Sequence, residues 1–317
     1  MCDTIAEGFK VLQDTANDLY LQEGRVAEVE GAPDPLEFLR EWVSPNVPVI
    51  FKKACKSFAA FKQWSPQFLR EKIGDKFVTV AVTPNGWADA VSDDGEFFML
   101  PEERQMKFSD FLDRLNDKSE LNPVFYMQQQ NSNLTGEMKS LIGDVPEDIN
   151  WASTAFGAKP DAANFWMGDQ RAITSTHKDP YENIYCVIHG VKQFLLSPPT
   201  DLPSMPYKML PVARYEKVKT RQDFTIVQCE EKNTVRWICP GFGEAKKSKT
   251  RPSTQLIARV EAGDMLYLPS LWFHQVSQSH GCVAVNYWYD MKFDIKYAYF
   301  SMLEHLCLAN ELLNCEN

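Results

Sequence analysis

Two short runs far apart in the chain constrain its fold more than any other feature: Thr176-His177-Lys178-Asp179 and Trp272-Phe273-His274. The chain has only five histidines and none ahead of His177, so few imidazoles are available for a chance cluster. On an extended strand alternate side chains share a face, which points His177 and Asp179 one way and Lys178 the other. The alternation of Trp272, His274 and Val276 predicts a second strand whose shared face carries a further imidazole. An antiparallel barrel can bring the two strands together. Two imidazoles and one carboxylate so placed have the composition of a facial triad, which holds Fe(II) on one side and leaves the other side open. The His-x-Asp spacing alone is common, and a lone histidine is more often packed or surface-exposed than a ligand, so the neighbouring residues have to carry the reading.

Those neighbours are informative. Thr174, Asn183, Tyr185 and Lys192 surround the His-x-Asp pair, and a later apolar run supplies Asn286 in Ala284-Val285-Asn286-Tyr287-Trp288-Tyr289. With the runs at 164–168 (Asn-Phe-Trp-Met-Gly), 266–274 and 286–290, these residues resemble the jumonji-C domain of the cupin superfamily, the Fe(II) and 2-oxoglutarate oxygenases, over most of the chain. Within that group the sequence is most similar to the small jumonji-C protein hydroxylases, among them the asparaginyl hydroxylases. It is most similar of all to the jumonji-C lysyl hydroxylases of developmentally regulated GTP-binding proteins.

The resemblance implies a mainly β fold with flanking helices. It would have a double-stranded β-helix (jelly-roll, cupin) core, an N-terminal α/β extension over residues 1–120, a catalytic barrel over 121–290 with an insertion at about 198–255, and a C-terminal helical segment over 291–317. It implies Fe(II), 2-oxoglutarate and dioxygen as cofactors, with His177, Asp179 and His274 as metal ligands. Lys192 corresponds to the cation that pairs with the distal carboxylate of 2-oxoglutarate, and Tyr126 and Thr174 to hydroxyl donors to the same group. Asn183, Asn286 and Tyr185 would line the pocket, and Trp166 and Trp288 would wall the substrate entrance. Each has an ordinary alternative: a solvated lysine, a core tyrosine, buried amides that merely satisfy each other, and aromatic packing.

Three function classes follow. The first is hydroxylation of a protein side chain, most concretely lysine C-3 of a developmentally regulated GTP-binding protein, with release of succinate and CO2. The second is N-methyl-lysine (histone) demethylation at the same iron site. The third is a non-enzymatic cupin binding module or a metal-dependent peptidase. Neither a nucleophile elbow nor a phosphate-binding Gly-rich loop is present.

A formal charge of -10 speaks against general nucleic-acid affinity and suits a basic protein partner. The absence of an apolar leader or long apolar run leads us to expect a cytoplasmic protein that is not in the membrane. Nuclear import would rest on the basic cluster Lys246 to Arg251, for which a solvated loop is the favoured reading. Eight cysteines without a Cys-x-x-Cys pair are expected to be reduced thiols.

Patterning predicts helices before residue 42, interrupted by a linker at Glu28 to Pro35. Strands are expected at 48–51, 77–83 and 124–130, and helices at 66–73 and 108–116. The insertion should hold a strand or two and a mobile lysine-rich loop. In the last stretch, Ile295, Tyr299, Met302, Leu306 and Leu313 fall near one helical stripe, read either as packing on the barrel or, from the resemblance, as a homodimer surface.

Overall fold

The computed structural model describes residues 2–20, 24–117, 119–230, 233–239 and 255–315. The Lys246 to Arg251 cluster and the side chain of Leu313 lie outside the described residues.

The strand Tyr181–His189 is buried over nearly its whole length, the mark of a strand covered on both faces. It is central in a nine-stranded sheet, antiparallel to Cys282–Asp290 on one side and to Met265–Leu268 on the other. Its side chains divide by parity. Ile184, Cys186 and Ile188 face an outer core under the helices, and Tyr185 and Val187 face inward. A five-stranded sheet of Leu256–Glu261, Val191–Ser197, Phe273–Gln278, Ile173–His177 and Trp87–Ala88 closes over that inner face. Phe194, Leu196, Ala258 and Val276 from this second sheet pack with Tyr185, Val187, Trp166 and Leu266 from the first. The result is a two-layer jelly roll, and the site lies between its layers.

The helices at Pro66–Ile73 and Phe108–Asn116 form where patterning places them. Ser65 caps the first, its hydroxyl accepting from the Phe68 amide at 3.1 Å with Pro66 at the opening position. The second buries Phe108, Phe111, Leu112 and Leu115 along one stripe against the outer core. These elements are not confined to the outside of the barrel. Phe77–Thr83 pairs with Val124–Met127 in the large sheet, and Trp87–Ala88 pairs with Ile173–His177 in the small one.

Three expectations change. Part of the Glu28 to Pro35 linker is an edge strand, Ala27–Glu30, because Ala27 and Val29 alternate with acids and Val49–Lys52 offers a parallel partner. Among the described residues the insertion holds three strands rather than one or two. Tyr207–Glu216 is antiparallel to Thr225–Gln228 and Thr234–Ile238, and parallel to Phe98–Leu100.

The third change concerns the C-terminal helix Ile295–Cys315, which packs on the body through Phe300, Leu303 and Cys307. The stripe of Ile295, Tyr299, Met302 and Leu306 faces solvent instead. No disulfide joins cysteines among the described residues, and no described helix is long and apolar enough to cross a membrane.

Candidate active site

Strands Ile173–His177 and Phe273–Gln278 run antiparallel in a register that sets His177 directly opposite His274, with ring centroids 4.2 Å apart. Asp179 follows in the loop, where its carbonyl accepts from the Leu271 amide at 2.9 Å and ties that loop to the turn ahead of His274. Glu182 fixes the same turn. Its buried carboxylate accepts from the Tyr267 hydroxyl at 2.7 Å, the Ser270 amide at 3.2 Å and the Ser270 hydroxyl at 3.0 Å. Lys178, on the opposite face, pairs with Glu304 of the C-terminal helix at 3.1 Å.

Each imidazole Nδ1 is 2.7 or 2.9 Å from the backbone carbonyl two residues before it, Ser175 or Trp272. Donation to those carbonyls places the proton on Nδ1 and turns the Nε2 lone pairs inward. Both Nε2 atoms are 3.6 Å from Asp179 Oδ2, and the three ligand atoms all lie within 4.8 Å of one another. Ligand atoms each about 2 Å from a shared ion are separated by about 3 to 4 Å, so the set fits one metal ion.

Electrostatics favour a cation at this point. Burial opposes ionisation of Asp179, yet the His177 and His274 rings outweigh it and hold the carboxyl at about 2. Burial, with His177 beside it, pushes His274 down to about 4, so this imidazole is neutral and available as a ligand.

Lys192 lies deeper, buried to 1 % exposure, on the same strand face as Phe194 and Leu196. Its Nζ donates to the Tyr126 hydroxyl at 2.8 Å and lies 5.2, 5.7 and 5.4 Å from the centroids of Tyr126, Trp166 and Tyr185. Tyr126 is also hydrogen-bonded to Thr174. No carboxylate pairs with Lys192 among the described residues, and burial drives its pKa down to about 8. A buried ammonium without a counter-ion is costly and is suited to an anionic ligand.

The amides split into two roles. Asn286 is held by three hydrogen bonds: its oxygen accepts from Trp166 Nε1 at 2.8 Å and Asn164 Nδ2 at 3.2 Å, and its amide donates to Asn183 Oδ1 at 3.1 Å. Asn183, oriented by that bond, lines the cavity with its own Nδ2 making no hydrogen bond among the described residues. Tyr185 lines the cavity edge-on to Phe194.

Trp166 differs from the expectation of an entrance residue. Bonded to Asn286 and set against Lys192, it walls the inner end of the cavity. Trp288 also lines the cavity, stacked on Tyr181 at 5.2 Å, with its buried Nε1 unpartnered.

A family model for a cupin-like domain matches residues 35–295. The chain is 44% identical over 292 residues to the bifunctional peptidase and (3S)-lysyl hydroxylase JMJD7 of Homo sapiens, covering 90% of this chain and 91% of that protein. The chain belongs to the cupin-like jumonji-C family. It is also 38% identical to the lysine-specific demethylase JMJ32 of Arabidopsis thaliana, over 92% of this chain and 89% of that one. To JmjC domain-containing protein E of Dictyostelium discoideum the identity is 37%, over 86% of each. As a jumonji-C protein of this kind the chain is an enzyme, an oxidoreductase of the hydroxylase type.

Sequence reasoning missed the residues at the mouth. A groove of roughly 810 Å³ adjoins the metal site and shares Gln130, Thr174 and His177 with the inner cavity. Its wall includes Asp89, Gln128 and Trp237. Trp237 comes from the insertion, stacks at 10° to the His177 ring and donates to the Ser175 hydroxyl at 3.0 Å. Gln128 and Gln130 share parity with Tyr126, a signal that was present in the sequence. Asp89 had none.

Proposed function

We propose that this protein is an Fe(II)- and 2-oxoglutarate-dependent dioxygenase that hydroxylates C-3 of a lysine in a protein substrate of the developmentally regulated GTP-binding class. The observation that carries the cosubstrate reading is Lys192, a buried ammonium without a carboxylate partner among the described residues, at the inner end of a cavity that holds the His-Asp-His set. The lysyl reading is supported by the likeness to JMJD7, and the preference for a basic partner by the net charge of -10.

His177, Asp179 and His274 would hold the iron through two inward Nε2 lone pairs and one carboxylate oxygen. When bound, Fe(II) and 2-oxoglutarate would supply the activation of dioxygen, one oxygen atom going to succinate as 2-oxoglutarate loses CO2 and the other turning C–H into C–OH. The chain's own work is orientation. Lys192 receives the distal carboxylate by a charge-assisted hydrogen bond, and the Tyr126 and Thr174 hydroxyls complete that pocket. Asn183 offers its spare amide donor, held in place by Asn286. The apolar walls of Tyr185, Phe194 and Val276 exclude water around the cosubstrate stem. A homodimer formed through the exposed stripe of the C-terminal helix and a cytoplasmic location complete the proposal.

Mass spectrometry of the GTP-binding protein and of di- and trimethyl-lysine histone peptides, each incubated with enzyme, Fe(II), 2-oxoglutarate and air, tests the reading. A gain of one oxygen on a lysine, absent with His177→Ala, is the expected result. Loss of methyl mass from the histone peptides would replace it with demethylation.

A further inference from the structure

Resting on the lysyl reading above, we propose that Asp89 is the anionic anchor for the substrate's ε-ammonium group, a positioning residue that selects lysine. Asp89 lines the groove through which a substrate side chain reaches the metal ligands, and its field reaches the His177 ring. Its neighbours on that wall are already neutralised or solvated. Glu102 pairs with Arg104 and Glu216 with Arg214, and Glu103 is exposed and accepts from Gln129. Asp89 is part-buried and pairs with no cation among the described residues. Its Oδ2 accepts a neutral amide hydrogen bond from Gln128 at 3.1 Å, and its Oδ1 has no hydrogen-bond partner among them.

A carboxylate partly removed from water, hydrogen-bonded by an amide and facing the His177 ring, has no ammonium or guanidinium partner among the described residues, and a ligand cation would complete it. An ammonium of three donors on an apolar stem fits that vacancy in chemistry.

The position is also held. Asp89 adopts φ +52°, in the left-handed region that non-glycine residues seldom occupy, and the structure around it enforces that backbone. Ala88 pairs with Thr174, the Ser175 hydroxyl donates to the Asp89 carbonyl at 2.5 Å, and Trp237 donates in turn to Ser175 at 3.0 Å. The strand that carries His177 therefore also fixes the position of Asp89 relative to that metal-ligand candidate. An ammonium anchored at Asp89 would hold the lysine methylene chain at one reach from that point, which selects a carbon along the chain.

The test compares Asp89→Asn, which keeps the shape and tolerates the same backbone, with Asp89→Glu and the wild type. The probes are a lysine-containing segment of the GTP-binding protein and the same segment with norleucine, which keeps the four side-chain carbons and lacks the ammonium group, in place of the target lysine. Metal content and 2-oxoglutarate affinity are measured alongside as a check on the folded site.

The wild type should prefer lysine to norleucine. Asp89→Asn should raise KM for the lysyl segment by about tenfold or more, with a smaller change in kcat, and remove the preference. Asp89→Glu should keep the preference and shift the hydroxylated carbon or lower kcat. Asp89→Asn retaining the full preference for lysine, while the wild type hydroxylates lysine, would overturn the assignment of Asp89 alone. No oxygen gained on the lysyl segment by the wild type would overturn the lysyl reading and this assignment with it.

Discussion

Replacing Lys192 with methionine separates what the buried ammonium does for the ligand from what it costs the fold. Burial takes its pKa from 10.5 to about 8, and at about 1.4 kcal/mol per pKa unit the protonated form is held at a cost of about 3 kcal/mol. Three ring faces between 5.2 and 5.7 Å offset part of this, leaving about 1 to 2 kcal/mol. Lys192→Met, close in length and neutral, should therefore stabilise the ligand-free protein by about that amount in chemical denaturation followed by tryptophan fluorescence.

The pH dependence has a definite sign. The folded-state pKa lies below the unfolded value, so between about 8 and 10.5 the unfolded chain keeps a proton that the folded one has lost. Wild-type stability relative to the variant should rise across that window, and the increment should vanish as pH falls through about 8. Binding runs the other way, because a carboxylate needs the ammonium. Calorimetric titration of the metal-loaded wild type with 2-oxoglutarate should show affinity falling about tenfold from pH 7 to pH 9, and the variant should bind at least thirtyfold more weakly at pH 7 without that trend. A variant that is less stable and binds 2-oxoglutarate as the wild type does would refute the reasoning.

Gly168 lies against the same pocket, and a Cβ there would meet Tyr126 Cδ2 at 2.4 Å and Gln278 Nε2 at 2.9 Å. Gly168→Ala should displace the Tyr126 ring, costing about 1 to 3 kcal/mol of stability and raising the 2-oxoglutarate KM more than it lowers metal content. Glu182→Ala would strand the donors of Tyr267 and Ser270 at the turn before His274. A loss of about 2 kcal/mol or more, with weaker metal binding in a competitive chelator titration, is expected.

The triad was legible because its logic is local: scarce histidines and strand parity single out His177 and His274, while Asp179, expected on the same strand as His177, lies in the loop just past it, where the two-residue spacing still keeps it beside the imidazoles. Lys192 was legible through its resemblance to family members, and it also sits in phase with Phe194 and Leu196, where a solvated lysine would not be. Asp89 and Trp237 were not legible, because each reaches the site through short strands whose pairing is decided far along the chain, with Ile173–His177 and Tyr207–Glu216. The strand at Ala27–Glu30 was hidden for the same reason, since a four-residue edge exists only once its parallel neighbour does. The C-terminal helix left two readings of its apolar stripe open. Apolar spacing alone cannot say which side of a helix is covered, and here Phe300, Leu303 and Cys307 take the body while Tyr299 and Met302 face solvent.

The origin of the transferred oxygen tests the central claim most directly. Enzyme, Fe(II), 2-oxoglutarate and the lysyl substrate are incubated under 18O2 in ordinary water, and succinate and substrate are weighed. Oxygenase chemistry at His177, Asp179 and His274 predicts one 18O in succinate, a heavier lysine in the substrate, and neither product with Asp179→Ala. Peptide cleavage that takes its oxygen from water, proceeds without 2-oxoglutarate and leaves succinate unformed would contradict it.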